Sequence, residues 1–321
     1  MKPNKRSSRL LALALSLVLS LSLSLPALAA GEDDIIYIHT AKDLCALSDS
    51  CAYDAWSRGK TVLLTSDISL RGVDFEPIAS FSGTFNGGGH TISGLTLTDS
   101  LSPAGLFLTL ERGAFVHALK VEGQVAPGGT KEAVGGIVGR NYGTLEECSF
   151  FGVVKGDSAV GGIVGRNEEG GLIANCTASG SISANRYTGG IAGLTGATVH
   201  GSFAKCTLSG KKYVGGIVGS GVQENIDGSG SSVRWNYSLV DITDCQQYRG
   251  AISGSDTGTF EYNYYVSDDL PGINRQSYAG RAEPTSYEEL LTLPELPESM
   301  KSFSLTFVAD GETVLSRTFH Y

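Results

Sequence analysis

The chain alternates apolar and polar residues with a period of two, and it repeats one glycine-rich apolar phrase along most of its length. VGGIVGRN occurs at 134–141 and again at 160–167, and TGGIAG, VGGIVG and RGAISG begin at 188, 214 and 249. The starting points of successive phrases lie 26, 28, 26 and 35 residues apart. Intervals in this range are typical of solenoids, in which each repeat forms one coil.

The segments between the phrases favour strands over helices. They are rich in β-branched and aromatic residues and lack apolar residues at a spacing of 3.6. A coil of about 26 residues can wrap three short strands and their corners, and neighbouring coils then stack at about 4.8 Å. The pattern therefore predicts an all-β fold, a parallel β-helix.

Equivalent positions of successive coils line up in columns when the segments that follow the phrases are aligned. One column contains Leu119, Cys148, Cys176, Cys206 and Tyr237. Three residues earlier the column contains Val116, Leu145, Ile173, Phe203 and Arg234. Apolar residues at even offsets mark one buried strand face. We therefore predict a buried ladder of Leu119, Cys148, Cys176 and Cys206.

The glycines of the phrases have two explanations. A tight corner often needs positive φ, which glycine adopts without a steric cost. A strand that another coil approaches closely also favours a residue without a side chain. A flexible linker is disfavoured because Ile and Val recur at a fixed position within the phrases.

The phrases, together with the segments GTLEECSFFG and GLIANCTASG that follow two of them, resemble GLUG-motif repeats. The upstream stretch FSGTFNGGGHTISGL at 81–95 fits the same class, and the resemblance covers roughly residues 36–265. It implies a right-handed parallel β-helix on a secreted or surface-attached bacterial protein. The repeat also occurs in large surface proteins that include immunoglobulin A-type metallopeptidases, but the resemblance names no catalytic residue.

The ends of the chain predict further segments. Residues 40–56 predict a helix that begins at Thr40 and buries Leu44 and Leu47, and 286–293 predict a second short helix. The polar stretch 220–234 is interpreted as a loop. The predicted organisation is a signal peptide at 1–30, a capping segment at 31–60, the β-helix at 61–265, an irregular segment with a short helix at 266–301 and a β-hairpin at 302–321.

The terminal hairpin is similar to the start of the β-grasp-like repeats that follow such solenoids in longer surface proteins. This similarity implies that the coding region is truncated or split. A lone two-stranded hairpin is marginally stable, so it is expected to pair with something or to begin a further domain.

The charge balance narrows the expected partners. The whole chain has a net charge of −9, and removal of residues 1–30 leaves 20 basic against 33 acidic residues, a net charge of −13. This balance argues against nucleic acid, and against any contact with anionic membrane beyond the signal peptide.

The six cysteines predict little chemistry. Inert burial is favoured over a metal or disulfide ladder for Cys148, Cys176 and Cys206, because no CxxC spacing is present. For Cys45 and Cys51 a disulfide and two free thiols stay open as alternatives, since an unbroken helix would point the two side chains apart.

No catalytic, cofactor-binding or metal-binding residue is predicted. The chain contains no HExxH, GxSxG or P-loop motif, and acidic residues are sparse in the repeats. Tyrosines recur along the coils, and they have two explanations, a row of rings that stacks on sugars or packing at the corners of the coils. They are Tyr142, Tyr187, Tyr213, Tyr237, Tyr248 and a C-terminal group of Tyr262, Tyr264 and Tyr265.

The favoured function is a non-catalytic secreted or cell-surface spacer or adhesion module that binds surface or host glycans or proteins. The alternative is a polysaccharide lyase or hydrolase.

Overall fold

The computed structural model describes residues 35–52, 55–99, 101–221, 230–275, 279–293, 296 and 301, and the strands 302–309 and 312–320 by their backbone. The predicted signal peptide and most of the predicted loop at 220–234 lie outside the described residues. None of the helices in the described part of the chain is long and apolar enough to cross a membrane.

The predicted parallel β-helix is confirmed, and three parallel sheets form its walls. Sheet A contains Ile35–Ile38, Thr61–Leu64, Thr84–Asn86, Phe115–His117, Thr144–Glu146, Leu172–Ala174, Thr198–His200, Ser232–Arg234 and Thr259–Glu261. Sheet B contains Ile68–Ser69, Thr91–Leu97, Lys120–Val125, Glu132–Gly135, Ser149–Lys155, Ser158–Gly161, Thr177–Gly189, Phe203–Gly215, Tyr237–Ser238, Asp241–Gly250, Asn263–Tyr265 and Ala282–Pro284. Sheet C contains Ile78–Phe81, Phe107–Leu110, Val138–Asn141, Val164–Asn167, Ala192–Thr195 and Val218–Ser220.

Close approach between coils explains the paired glycines of the phrases. A Cβ on Gly162 would collide with the carbonyl oxygen of Gly190 and with the Ala178 side chain, and a Cβ on Gly190 would collide with the oxygen of Gly216. None of these three glycines has positive φ. Of the two explanations from the sequence, the second therefore applies to the phrases, because the coils pack backbone against backbone there.

The ladder register differs from the sequence alignment in the later coils. Leu119, Cys148 and Cys176 are buried neighbours in one column, because Lys120 pairs with Ser149 and Ser149 with Thr177. Thr177 pairs with Phe203, however, so the next members of the column are Ser202 and Asn236.

Cys206 and Tyr237 were therefore misplaced by the alignment. Cys206 is buried, but it lies opposite Gly180, four residues further along its strand than the predicted position. The column three residues earlier likewise continues from Ile173 to Val199 and Val233, where Phe203 and Arg234 were predicted. The error arose because the alignment matched cysteine to cysteine, whereas backbone hydrogen bonding sets the register.

Two short helices accompany the β-helix. Helix α1, Ala41–Ser50, begins at Thr40 and buries Leu44 and Leu47, as predicted, and a capping box joins Thr40 to Asp43. Helix α2, Tyr287–Leu291, begins at Ser286.

Helix α2 lies on the outer face of sheet B. Its residue Leu290 packs against Phe203 and Tyr237, which project outward from that sheet. These three side chains form a second apolar cluster, separate from the interior of the β-helix.

The sheets extend beyond the predicted range of 61–265. Ile35–Ile38 already pairs with Thr61–Leu64, and Ala282–Pro284 still pairs with Asn263–Tyr265. Ser302–Ala309 and Glu312–His320 pair antiparallel, which confirms the predicted hairpin.

Candidate functional site

The corner between sheets A and B carries one residue per coil in the left-handed conformation. These corner residues are Ala118, Glu147, Asn175, Gly201, Trp235 and Tyr262, with φ between 51° and 59°. A residue with a Cβ costs about 1–2 kcal/mol in this conformation, so the neighbouring coils must hold the corner in place. The corner turns the backbone so that Glu147, Asn175, Trp235 and Tyr262 are all exposed.

Two neighbouring corner residues form an exposed aromatic stack. The ring centroids of Trp235 and Tyr262 lie 4.6 Å apart with an angle of 20° between the ring planes. This separation matches the spacing of neighbouring strands, about 4.8 Å. Trp235 is 36% exposed and Tyr262 is 48% exposed, although both side chains are large and apolar. The protein thus presents an aromatic surface to solvent on a rigid part of the fold.

A notch lies beside this stack, where the preceding coil has glycine at the corner. The Trp235 notch, defined by its lining residues Asn175, His200, Gly201 and Trp235, has a volume of about 270 Å³. A Cβ on Gly201 would collide with the side-chain oxygen of Asn175. The Asn175 amide therefore occupies part of the space that a side chain at position 201 would take, and the notch lies beside it. Its volume is slightly below that of typical ligand pockets, which hold about 300–1,000 Å³.

The wall of the notch on the side of sheet A carries His200, and Arg234 lies one strand away from it, outside the lining. His200 is half-buried and pairs in register with Ala174 on one neighbouring strand and with Arg234 on the other. Burial lowers the pKa of the His200 imidazole, and the positive charge of Arg234 lowers the same pKa further. Both effects disfavour the protonated form of the imidazole.

A buried hydrogen-bonded column holds the corner from inside. The Asn236 side-chain oxygen accepts from the Ser202 backbone N–H at 2.9 Å, and the Asn236 amide group donates to the Val199 carbonyl at 3.0 Å and to the Asn263 side-chain oxygen at 3.0 Å. Since Asn236 follows Trp235 directly, these bonds fix the backbone on which the indole is mounted. Asn236 and Asn263 are fully buried.

The predicted tyrosine row is found mostly at other corners, where it packs on itself. Tyr187, Tyr213 and Tyr248 stack with centroids 5.0 and 4.7 Å apart, so the rings cover each other's faces. Tyr187 is buried, and Tyr237 is covered within the α2 cluster. For these tyrosines the structure supports corner packing.

Sequence reasoning did not select Trp235, Gly201 or His200. Tyr262 was only one of a C-terminal tyrosine group. The site could have been found by aligning the residues at the corner between sheets A and B. In that column Gly201, Trp235 and Tyr262 belong to successive coils. The misalignment of the later coils obscured that column.

Carboxylates do not gather at the notch. Within the described ranges, no group of three or more His, Cys, Asp and Glu side chains could hold a metal ion. Glu168, at another corner, lies 3.4 Å from the Arg140 Nε and 3.2 Å from the Arg166 Nε.

Four of the six thiols are buried, and all six are free in the structure. Burial raises the pKa of Cys206 to about 12 and that of Cys51 to about 11. Cys45 and Cys51 are six residues apart along α1, a rise of about 9 Å. A disulfide needs Cα atoms within about 7 Å, so the bridge between these two residues that the sequence left open does not form in this structure.

Alkylation should separate the two kinds of thiol. We expect iodoacetamide at pH 8 to label Cys45 and Cys245 in the folded protein, because only these two cysteines are partly exposed. Mass spectrometry should find Cys51, Cys148, Cys176 and Cys206 labelled only after denaturation. Rapid labelling of Cys206 in the folded protein would contradict its burial, and fewer than six labelled thiols in the denatured protein would reveal a disulfide.

Comparisons with known proteins agree with this architecture. The GLUG motif family matches residues 156–183, so the chain carries a GLUG motif, as the sequence predicted. Halomucin from Haloquadratum walsbyi is 32% identical over 158 residues, which are 44% of this chain but only 2% of that protein.

A solved structure has a similar fold. The crystal structure of a protein proposed to be an immunoglobulin A1 protease from Bacteroides ovatus aligns with a TM-score of 0.59 and 18% identity. The alignment covers 81% of this chain and 87% of that chain. At this identity the likeness shows a shared fold alone.

Proposed function

We propose that this protein is a non-catalytic, secreted or cell-surface β-helix protein that serves as a rigid spacer and binds glycans at the Trp235 notch. The observation that carries the proposal is the exposed Trp235–Tyr262 stack beside the notch at Gly201 in the same corner column. The GLUG motif and the likeness to Halomucin support the placement outside the cell.

The spacer role is supported by the way the coils are joined. Sheet A has nine strands, which corresponds to a length of about 38 Å at the usual strand spacing. Each coil packs only on its neighbours. In sheet A, however, each strand pairs with the next without a break from Ile35 to Glu261. A stack of this kind holds its two ends at a fixed separation without a hinge.

The binding role is supported by the chemistry of the notch. A pyranose ring has an apolar face of C–H groups, which packs on the face of an indole, while its hydroxyl groups need polar partners at the edges. Trp235 supplies the indole face. Asn175 and His200 supply a side-chain amide and an imidazole at the edges of the same space.

Replacing the indole should weaken binding without affecting the fold. We expect Trp235→Ala to lower the affinity for a glycan found on an array by at least about tenfold, a loss of about 1.4 kcal/mol, because the stacking surface is removed. Phe151→Ala is the matched control, since Phe151 is 60% exposed on the outer face of sheet B. Equal affinities of the two variants, measured by titration calorimetry, would count against the notch as the binding site.

The same glycans test the absence of catalysis. We expect the wild-type protein to bind array glycans and to release no reducing ends from them during prolonged incubation. Release of oligosaccharide would support the polysaccharide lyase or hydrolase and would overturn the non-catalytic proposal.

A further inference from the structure

The Trp235 notch lies in a locally basic part of an acidic protein. Three residues on adjacent strands of sheet A pair in register beside the notch and form one row. His200 is in the middle of this row, with Ala174 on one neighbouring strand and Arg234 on the other. The next carboxylates in this row are Glu146, two strands away from His200 on one side, and Glu261, two strands away on the other. The chain as a whole has a net charge of −9.

Arg234 is available to a ligand at this position. Its side chain is exposed, and it directly precedes Trp235 in the chain. Glu261 is its register partner on the next strand, but no ion pair joins the two residues among the described ion pairs, which all lie elsewhere. Arg234 pairs in register with His200, so it lies one strand away from the wall of the notch.

We propose that the Trp235 notch selects sugars that carry a carboxylate, such as uronic or sialic acids. The inference rests on the proposed glycan-binding function and adds the ligand class. The apolar face of the sugar ring stacks on the indole, and the carboxylate lies against the Arg234 guanidinium and the edge of His200. A guanidinium binds a carboxylate through paired charge-assisted hydrogen bonds, which a neutral hydroxymethyl group cannot form.

This arrangement couples binding to proton uptake. In the free protein burial and Arg234 disfavour the imidazolium form of His200, but a bound carboxylate beside the ring favours it. The bound state therefore holds the imidazole proton more tightly than the free state does. Linkage then requires the affinity to increase as the pH falls into the range in which His200 titrates, while the sugar carboxylate stays ionised.

An array that carries each acidic glycan in two forms tests the inference. Uronic-acid and sialic-acid glycans are printed both intact and after reduction of their carboxylates to primary alcohols. We expect binding to the intact forms, at least about fivefold weaker binding to the reduced forms, and loss of this difference in Arg234→Gln. Lys205→Gln, an exposed cation on sheet B, is the matched control.

The outcomes separate the two proposals. Equal binding to intact and reduced forms would overturn the carboxylate inference and leave glycan binding standing. Absence of binding to every glycan on the array would overturn both. The pH dependence tests the role of His200 separately. His200 would be removed from the site if the wild-type protein preferred intact forms but bound them no more tightly at low pH. The same would follow if the affinity of His200→Gln increased at low pH as much as that of the wild type.

Discussion

Gly162→Ala is expected to destabilise the β-helix by about 3 kcal/mol, at the upper end of the usual cost of overpacking. The added Cβ would collide with the carbonyl oxygen of Gly190 and the side chains of Ala178 and Ile182. The backbone cannot move away easily, because Gly162 also donates from its N–H to the Gly190 carbonyl at 3.1 Å. Chemical denaturation should show the loss as a lower transition midpoint with an unchanged slope.

A second glycine provides the control for this experiment. A methyl group on Gly196 would have no atom closer than 3.9 Å, and Gly196 does not have positive φ. Gly196→Ala should therefore change the free energy of unfolding by less than about 0.5 kcal/mol. Equal losses from the two substitutions would mean that close coil packing is not the reason for the repeated glycines.

Asn236→Ala is expected to cost about 3 kcal/mol of stability as well. The substitution removes the acceptor for the Ser202 N–H and the donor for the carbonyls of Val199 and Arg234. It also removes one of the two donors to the Asn263 side-chain oxygen, which keeps the backbone N–H of residue 236. Each buried polar group that loses its partner costs about 1–3 kcal/mol, and relaxation of the column recovers part of the sum.

An exposed asparagine is the matched control for the column. Asn185 hydrogen-bonds to the side chain of Asp157 at the surface, so Asn185→Ala should be nearly neutral in the same denaturation experiment. If Asn236→Ala proved equally neutral, the buried column would not be what holds the corner beneath Trp235.

The first coils could be aligned from the sequence, and the later ones could not. Leu145 and Ile173 lie 11 and 13 residues after the starts of their glycine phrases, so counting residues places them in one column. Beyond Cys176 the strand Thr177–Gly189 runs for 13 residues, and the next strand is equally long. A sequence alignment can slide along such strands, and the apparent match of Cys206 to Cys176 moved the register by four residues.

The candidate site was hidden by this same ambiguity. Trp235 is an isolated tryptophan in the sequence, and Gly201 is one of 43 glycines. Only the correct register places Gly201, Trp235 and Tyr262 at the same corner of successive coils. The tyrosines that the sequence did emphasise, such as Tyr187 and Tyr213, cover one another's rings.

The sequence by itself determined the repeating coil, the burial of its apolar columns and the helix caps at Thr40 and Ser286, because these depend on residue spacing and on contacts within a few residues. The tertiary structure decided which residues of different coils face each other, because interstrand hydrogen bonds fix that choice and a repetitive sequence permits several registers. The notch between Asn175 and Trp235 exists only through that pairing.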